Sequence, residues 1–211
     1  MSNTKIAIQQ PYFYPYFGYF KLINSVDKFL FFNDVQYIRR GWVNRNRISK
    51  DLFITTPVLK TNRSRFINEI RIDYSSNWHH KHCRTLETRY GKKSLDHPIY
   101  LFYKNIPKYT FLVDLLKDSI KNVCEFLQIK TELLDSEEIK INPVFKKQQR
   151  IIEICNRLNC KSYYNLPGGR KLYSEKDFLA SNINIHFINT EEVVNYLSIF
   201  DLCLGEGLEK I

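Results

Sequence analysis

The sequence predicts an α/β chain built on a mainly parallel open sheet with flanking helices. Three observations predict it. Short apolar runs of strand length alternate with stretches of helical periodicity along most of the 211 residues. The first thirty or so residues read strand, loop, helix, strand, which is the pattern of a βαβ unit. The most unusual loops follow strand candidates, at the ends where an open parallel sheet presents its ligands.

Lys5 to Gln9 is a short apolar run and reads as a buried strand. Gln10 to Phe17 carries Pro11 and Pro15, which disfavour helix and mark an ordered aromatic loop. Gly18 to Ser25 reads as a short helix and Lys28 to Asn33 as a second strand. Asp34 to Arg47 is polar and basic, and reads as a loop. Leu52 to Val58 is a third strand. Asn77 to Tyr90 is a helix candidate, and Phe111 to Leu127 has the strongest helical spacing in the chain. A helical insertion is therefore expected around 75–127 within a single domain. Thr131 to Leu134 reads as a strand, Lys146 to Leu158 as a helix, and Ser162 to Leu166 as a strand. Ser174 to Ala180 reads as a helix with Ser174 as N-cap and Asp177 in the capping-box position. Ile183 to Ile188 closes the series as a strand.

Composition sets limits. With 44% hydrophobic and 15% aromatic residues the chain is no disordered polymer. No apolar run reaches the ~20 residues of a membrane-spanning helix, and the first residues lack an apolar signal core, so the cytoplasm is expected. The five cysteines form no CxxC pair, which argues for reduced thiols over a disulfide framework or zinc ribbon. The 32 basic and 22 acidic residues give a net charge of +10, which favours an anionic partner. No GxSxG, HExxH, kinase set or GxGxxG is present, so the common hydrolase, zincin, kinase and dinucleotide-binding readings lack their markers.

Three loops carry the candidate chemistry. In the first, Tyr12, Tyr14 and Tyr19 can stack on a base or sugar, and Gln10 and Gly18 offer donors to a ligand. In the second, Asp34, Gln36, Trp42, Asn44, Arg45, Asn46 and Arg47 follow a strand end. Extended backbone there puts Asn44 and Asn46 on one side and Arg45 and Arg47 on the other, with the arginines suited to phosphate. In the third, Gly168, Gly169 and Tyr173 accompany basic residues at a turn suited to an anion. The neighbourhoods of Gly18, Asn46 and Gly169 are expected to share one crevice. His80 and His82 are candidate general bases beside Lys81. The adjacent histidines of this stretch point in different directions on a helix, so no metal site is expected.

The run Ile6 to Phe20, with Gln10-Pro11, Pro15 and Gly18-Tyr19-Phe20, resembles the opening of the WbqC-like family. Asn33-Asp34-Val35-Gln36-Tyr37, Gly41-Trp42-Val43-Asn44-Arg45-Asn46-Arg47-Ile48, Ile67 to Ile72, Trp78 to Tyr90 and Leu197 to Leu202 resemble it too. Two features depart from the family pattern: Thr190 to Tyr196 lacks a His-Pro pair, and Gly205-Glu206-Gly207 replaces an Asn and Cys. The first βαβ layout is also similar to nucleotidyltransferase and Rossmann-like folds. The family accompanies genes for surface polysaccharide and O-antigen (lipopolysaccharide) assembly. The resemblance implies an N-acyltransferase acting on a nucleotide-linked amino sugar, with acyl-CoA (acetyl-CoA) as donor. In that reading His80, His82 or Asp34 takes the amine proton. The alternative is a glycosyltransferase or nucleotidyltransferase on the same nucleotide sugars. A non-enzymatic nucleic-acid binder is disfavoured, because the basic residues gather at strand ends and not along one face. A homodimer is left open.

Overall fold

The computed structural model describes residues 4–60, 65–190 and 196–206. The chain divides into two compact units, one made of residues 1–10, 18–33 and 130–194, the other of 11–17, 34–129 and 195–211.

The first unit holds a parallel five-stranded sheet. Its strands are β1 (Lys5–Gln9), β2 (Lys28–Phe31), β5 (Glu132–Asp135), β6 (Ser162–Asn165) and β7 (Asn184–Phe187), in the order β5-β2-β1-β6-β7. Every pairing is parallel, as in an α/β Rossmann-like open sheet. β1 is central, and its Ile6, Ala7 and Ile8 are buried, as a strand covered on both faces requires. Helix α1 (Phe17–Asn24) links β1 to β2 and buries Tyr19, Phe20, Leu22 and Ile23. Helix α5 (Lys147–Arg157) presents Ile151, Ile154 and Cys155 at helical spacing to a core of Ile6, Ile8, Leu30, Cys160, Tyr163 and Phe178. Tyr163 lies flat on Phe178 of α6 (Glu175–Ala180), with ring centroids 5.5 Å apart.

The expected capping box at α6 does not form. Ser174 is the N-cap residue, but its side chain makes no capping bond. Gln148 of α5 does the work: its side-chain oxygen accepts from Ser174 N at 2.9 Å and its amide donates to the Asp177 carboxylate. A long-range partner has displaced the local one.

The second unit is largely helical, with α2 (Trp78–Tyr90), α3 (Pro98–Lys104) and α4 (Leu112–Phe126). α4 buries Leu112, Leu115, Leu116, Ile120 and Val123 along one face. α3 starts at Pro98 and is capped by the His97 ring, which accepts from Ile99 N at 3.3 Å. The third strand expected from the sequence is corrected here. β4 (Phe53–Thr55) does not join the parallel sheet; it pairs antiparallel with β3 (Arg45–Arg47). The reason is distance along the chain. Only residues 48–52 separate the two strands, which suits a hairpin and is too short for a parallel crossover.

All five cysteines are free and buried. Among the described residues no helix is long and apolar enough to cross a membrane. Residues 191–195 and Gly207, where the sequence departs from the family pattern, lie outside the described residues.

Candidate functional site

The hairpin β3–β4 organises the second unit's candidate site. Strand alternation turns Asn46 and Ile54 inward and Arg45, Arg47 and Phe53 outward. Asn46 is buried. Its amide donates to Tyr14 O at 2.7 Å and its oxygen accepts from Arg47 N at 2.8 Å. Ser198 Oγ donates to the same Tyr14 carbonyl at 2.8 Å. These bonds hold Tyr14 at φ +40°, in the left-handed region that a non-glycine residue adopts at a cost. Asn44 is likewise buried: it accepts from Tyr37 OH at 2.9 Å and donates to Thr56 O at 2.8 Å. Both asparagines, candidate ligand contacts from the sequence, are bonded to neighbouring protein groups, and each also borders a groove.

Outside, four side chains stack in series. The Arg45 guanidinium lies 5.0 Å from the Phe53 ring centre, Phe53 stacks on Trp42 at 5.9 Å, and Arg47 lies 5.5 Å from Trp42. Trp42 is 49% exposed, so one edge of the stack is open to solvent.

Arg47 opens into a groove of about 460 Å³ lined by Tyr12, Tyr16, Trp42, Asn46 and Tyr196. Its guanidinium makes no hydrogen bond among the described residues, and its Nε is buried without a partner. An arginine held only by ring stacking keeps its donors free for a ligand oxygen. The ring of Tyr16 lies 5.2 Å from that of Tyr196. Burial and the neighbouring Tyr196 push the Tyr16 hydroxyl up to about 12, and burial raises Tyr12 further, so both stay protonated near neutrality. The aromatic loop is thus divided. Tyr12 and Tyr16 line the groove, whereas Phe13 and Tyr14 are fully buried, with Tyr14 stacked on Phe200 at 3.8 Å. Tyr14 and Tyr19, expected to stack on a ligand, serve the packed interior. Gly18 is buried as well, so its backbone does not meet a phosphate.

The candidate bases separate sharply. His82 is buried on α2 and bonded at both ring nitrogens: Nε2 accepts from Thr55 N at 3.3 Å and Nδ1 meets Tyr103 OH at 2.7 Å. An Nε2 that accepts places the proton on Nδ1. Burial, followed by the nearby charge of His79, holds the imidazole down to about 4, so it is neutral at pH 7. Its geometry is that of a brace between β4 and the helices. His80 and Lys81 are exposed on α2. Asp34 is half-buried, and Gln36 is exposed and bridges to Phe66.

In the first unit, Gly168, Gly169 and Tyr173 lie just beyond β6, beside β1. This is the topological switch point, where connections leave the sheet in opposite directions. The Gln9 amide donates to Asn165 Oδ1, which also accepts from Leu166 N at 2.7 Å, while Asn165 Nδ2 donates to Tyr163 OH at 3.2 Å. Gly169 packs on this asparagine, leaving no room for a Cβ. Gln10 lies at the end of β1, its carbonyl accepting from Tyr19 OH at 3.2 Å. No sequence motif marks Gln9 or Asn165; the signal each carries is a polar side chain at or near the end of a strand-like run. Gly18 and Gly169 belong to the first unit and Asn46 to the second. Among the described residues no group of three His, Cys, Asp or Glu side chains gathers as a metal site would.

The WbqC-like protein family matches residues 10–211. The chain belongs to this family. An uncharacterized protein of Mycobacterium tuberculosis, Rv1507c, is 31% identical to this WbqC-like chain over 228 aligned positions, covering 97% of it and 95% of the relative. No solved structure matches.

Proposed function

We propose that this WbqC-like protein is a transferase that binds a nucleotide-linked amino sugar in the Arg47 groove and acylates its amine, with an acyl-CoA as donor. The setting is assembly of a bacterial surface polysaccharide such as O-antigen. The observation that carries the reading is the Arg47 guanidinium, stacked on Trp42, without a hydrogen bond among the described residues and bordered by Tyr12, Tyr16 and Tyr196. Rings suit a base or sugar face, and a free arginine suits an anionic or carbonyl oxygen on the same ligand.

Acyl transfer to nitrogen needs the amine neutral, a group to take its proton, and donors for the oxygen that gains charge. His82 has both nitrogens engaged and a lowered proton affinity, which leaves His80 and Asp34 as the residues to carry the proton. The acyl-CoA would supply the activated carbonyl.

The test is release of free thiol from acetyl-CoA by the purified full chain across a panel of nucleotide-linked amino sugars. Release with at least one sugar is expected, together with its loss in Arg47→Gln. Silence across the panel overturns acylation. Release of nucleoside diphosphate from the same sugars assigns the chain instead to glycosyl transfer, and formation of nucleoside triphosphate and sugar 1-phosphate from them with added pyrophosphate assigns it to nucleotidyl transfer.

A further inference from the structure

A second groove opens on the other arginine of the hairpin. It measures about 510 Å³ and is lined by Tyr37, Arg39, Arg40, Asn44, Arg45, Thr55, Val58, Leu59 and Lys60. Four of these are cations and none is an acid. Like charges brought together at a protein surface repel, and an anion that joins them relieves the repulsion.

The local backbone holds the cluster in shape. Arg45 Nε donates to Gly41 O at 3.0 Å and Nη2 to Arg40 O at 2.6 Å, tying its guanidinium to the turn that carries Arg39 and Arg40. The turn is closed by Gly41 N donating to Ile38 O at 3.0 Å, and a side chain at Gly41 would collide with that oxygen. Arg40 sits at φ +60°, in the left-handed region where glycine or asparagine would rest with less strain. A strained, charged residue aimed at a cavity is the kind of outlier that marks a ligand contact. Burial raises the Tyr37 hydroxyl, and the charges of Arg39 and Arg45 partly offset this, as expected if both lie close to it.

The two grooves share one scaffold. Arg45 and Arg47 lie on the same face of β3, two residues or about 7 Å apart, with Phe53 and Trp42 stacked between them. A pentose separates a base from its phosphates by a similar span.

We propose that Arg39, Arg40, Arg45 and Lys60 bind the diphosphate of the ligand whose ring lies against Trp42 and Tyr16. This deepens the reading of the Arg47 groove. The diphosphate contact itself does not depend on the transfer reaction. Two sources share the chemistry: a nucleoside-diphosphate sugar, and the diphosphate of coenzyme A.

Calorimetric titration of the full chain with inorganic pyrophosphate at low ionic strength tests it. Saturable binding is expected, stronger for pyrophosphate than for orthophosphate. It should weaken about tenfold or more in the combined Arg39→Gln, Arg40→Asn and Lys60→Gln variant and stay intact in Arg47→Gln. The three side chains are exposed and asparagine tolerates the left-handed backbone, so the variant keeps its fold, which a thermal melt verifies. Absence of saturable heat, equal affinity in the triple variant, or loss in Arg47→Gln alone overturns the assignment. Competition by a nucleoside-diphosphate sugar, or by coenzyme A, supports it and names the source. Competition by neither overturns the link between the grooves. Pyrophosphate binding without thiol release sinks only the acylation.

Discussion

Acidification should unfold this protein earlier than its carboxylates alone would, through His82. The folded imidazole is held down to about 4, whereas an unfolded histidine titrates near 6.5. Between those values the unfolded chain binds the proton and the native chain does not. Stability therefore rises with pH across the window; the contribution is complete above about 6.5 and is lost as pH falls toward 4. Lowering the pH from about 7.5 to about 5 should cost about 2 kcal/mol from this one group. His97, which burial also shifts down, acts in the same direction. The assay is urea unfolding at both pH values for the native chain and for His82→Gln. The variant should be less stable near neutrality, since it loses the bonds to Thr55 N and Tyr103 OH. Its stability should also fall less on acidification, by that same amount. Equal pH dependence in the two proteins would falsify the reasoning, as would an NMR titration placing His82 near 6.5.

Three other substitutions separate structure from binding. Asn46→Ala should cost about 2 to 3 kcal/mol in chemical denaturation, because it strips one bond from the strained Tyr14 carbonyl and orphans Arg47 N. Gly169→Ala should cost about 1 to 2 kcal/mol, since its Cβ would stand 2.7 Å from an Asn165 amide already held in place. Gly168→Ala is the control: its Cβ would meet nothing within 4 Å, so equal losses at the two glycines would refute the crowding argument. Arg47→Gln should leave the melting temperature within about 2 °C yet weaken nucleotide-sugar binding about tenfold in thermal-shift titrations. A large fall in stability would show that Arg47 serves the fold.

The parallel sheet was legible because its strands are apolar runs bounded by turn residues, and α4 and α5 because their apolar positions recur at helical spacing. The hairpin was not legible as a strand pair. β3 is Arg-Asn-Arg, three residues with no apolar period, and it becomes a strand only by pairing with β4. The roles of the asparagines were hidden for a related reason. The partner of Asn46 lies 32 residues away and the second donor to that partner, Ser198, 184 residues from it. No local pattern announces such contacts. The split of the aromatic loop was equally invisible, since Tyr12, Phe13, Tyr14 and Tyr16 differ little as residues, yet Phe13 and Tyr14 are fully buried while Tyr12 and Tyr16 are half-buried. What the sequence did convey was the alternation itself, with amides to one side of residues 44–47 and guanidinia to the other.

That alternation explains how one short strand serves two ends. Asn44 and Asn46 spend their polar groups on the backbone and on Tyr37, fixing the aromatic loop and the start of the 56–58 segment. With the inner face fixed, the carbonyls of Arg40 and Gly41 and the Phe53 ring position Arg45, while Arg47 is placed by stacking on Trp42. A guanidinium that is placed by rings keeps its hydrogen-bonding capacity for something else, at little entropic cost when a ligand arrives. The inner and outer residues of β3 should therefore respond oppositely to substitution, the first losing stability and the second losing affinity, although they are neighbours in the chain.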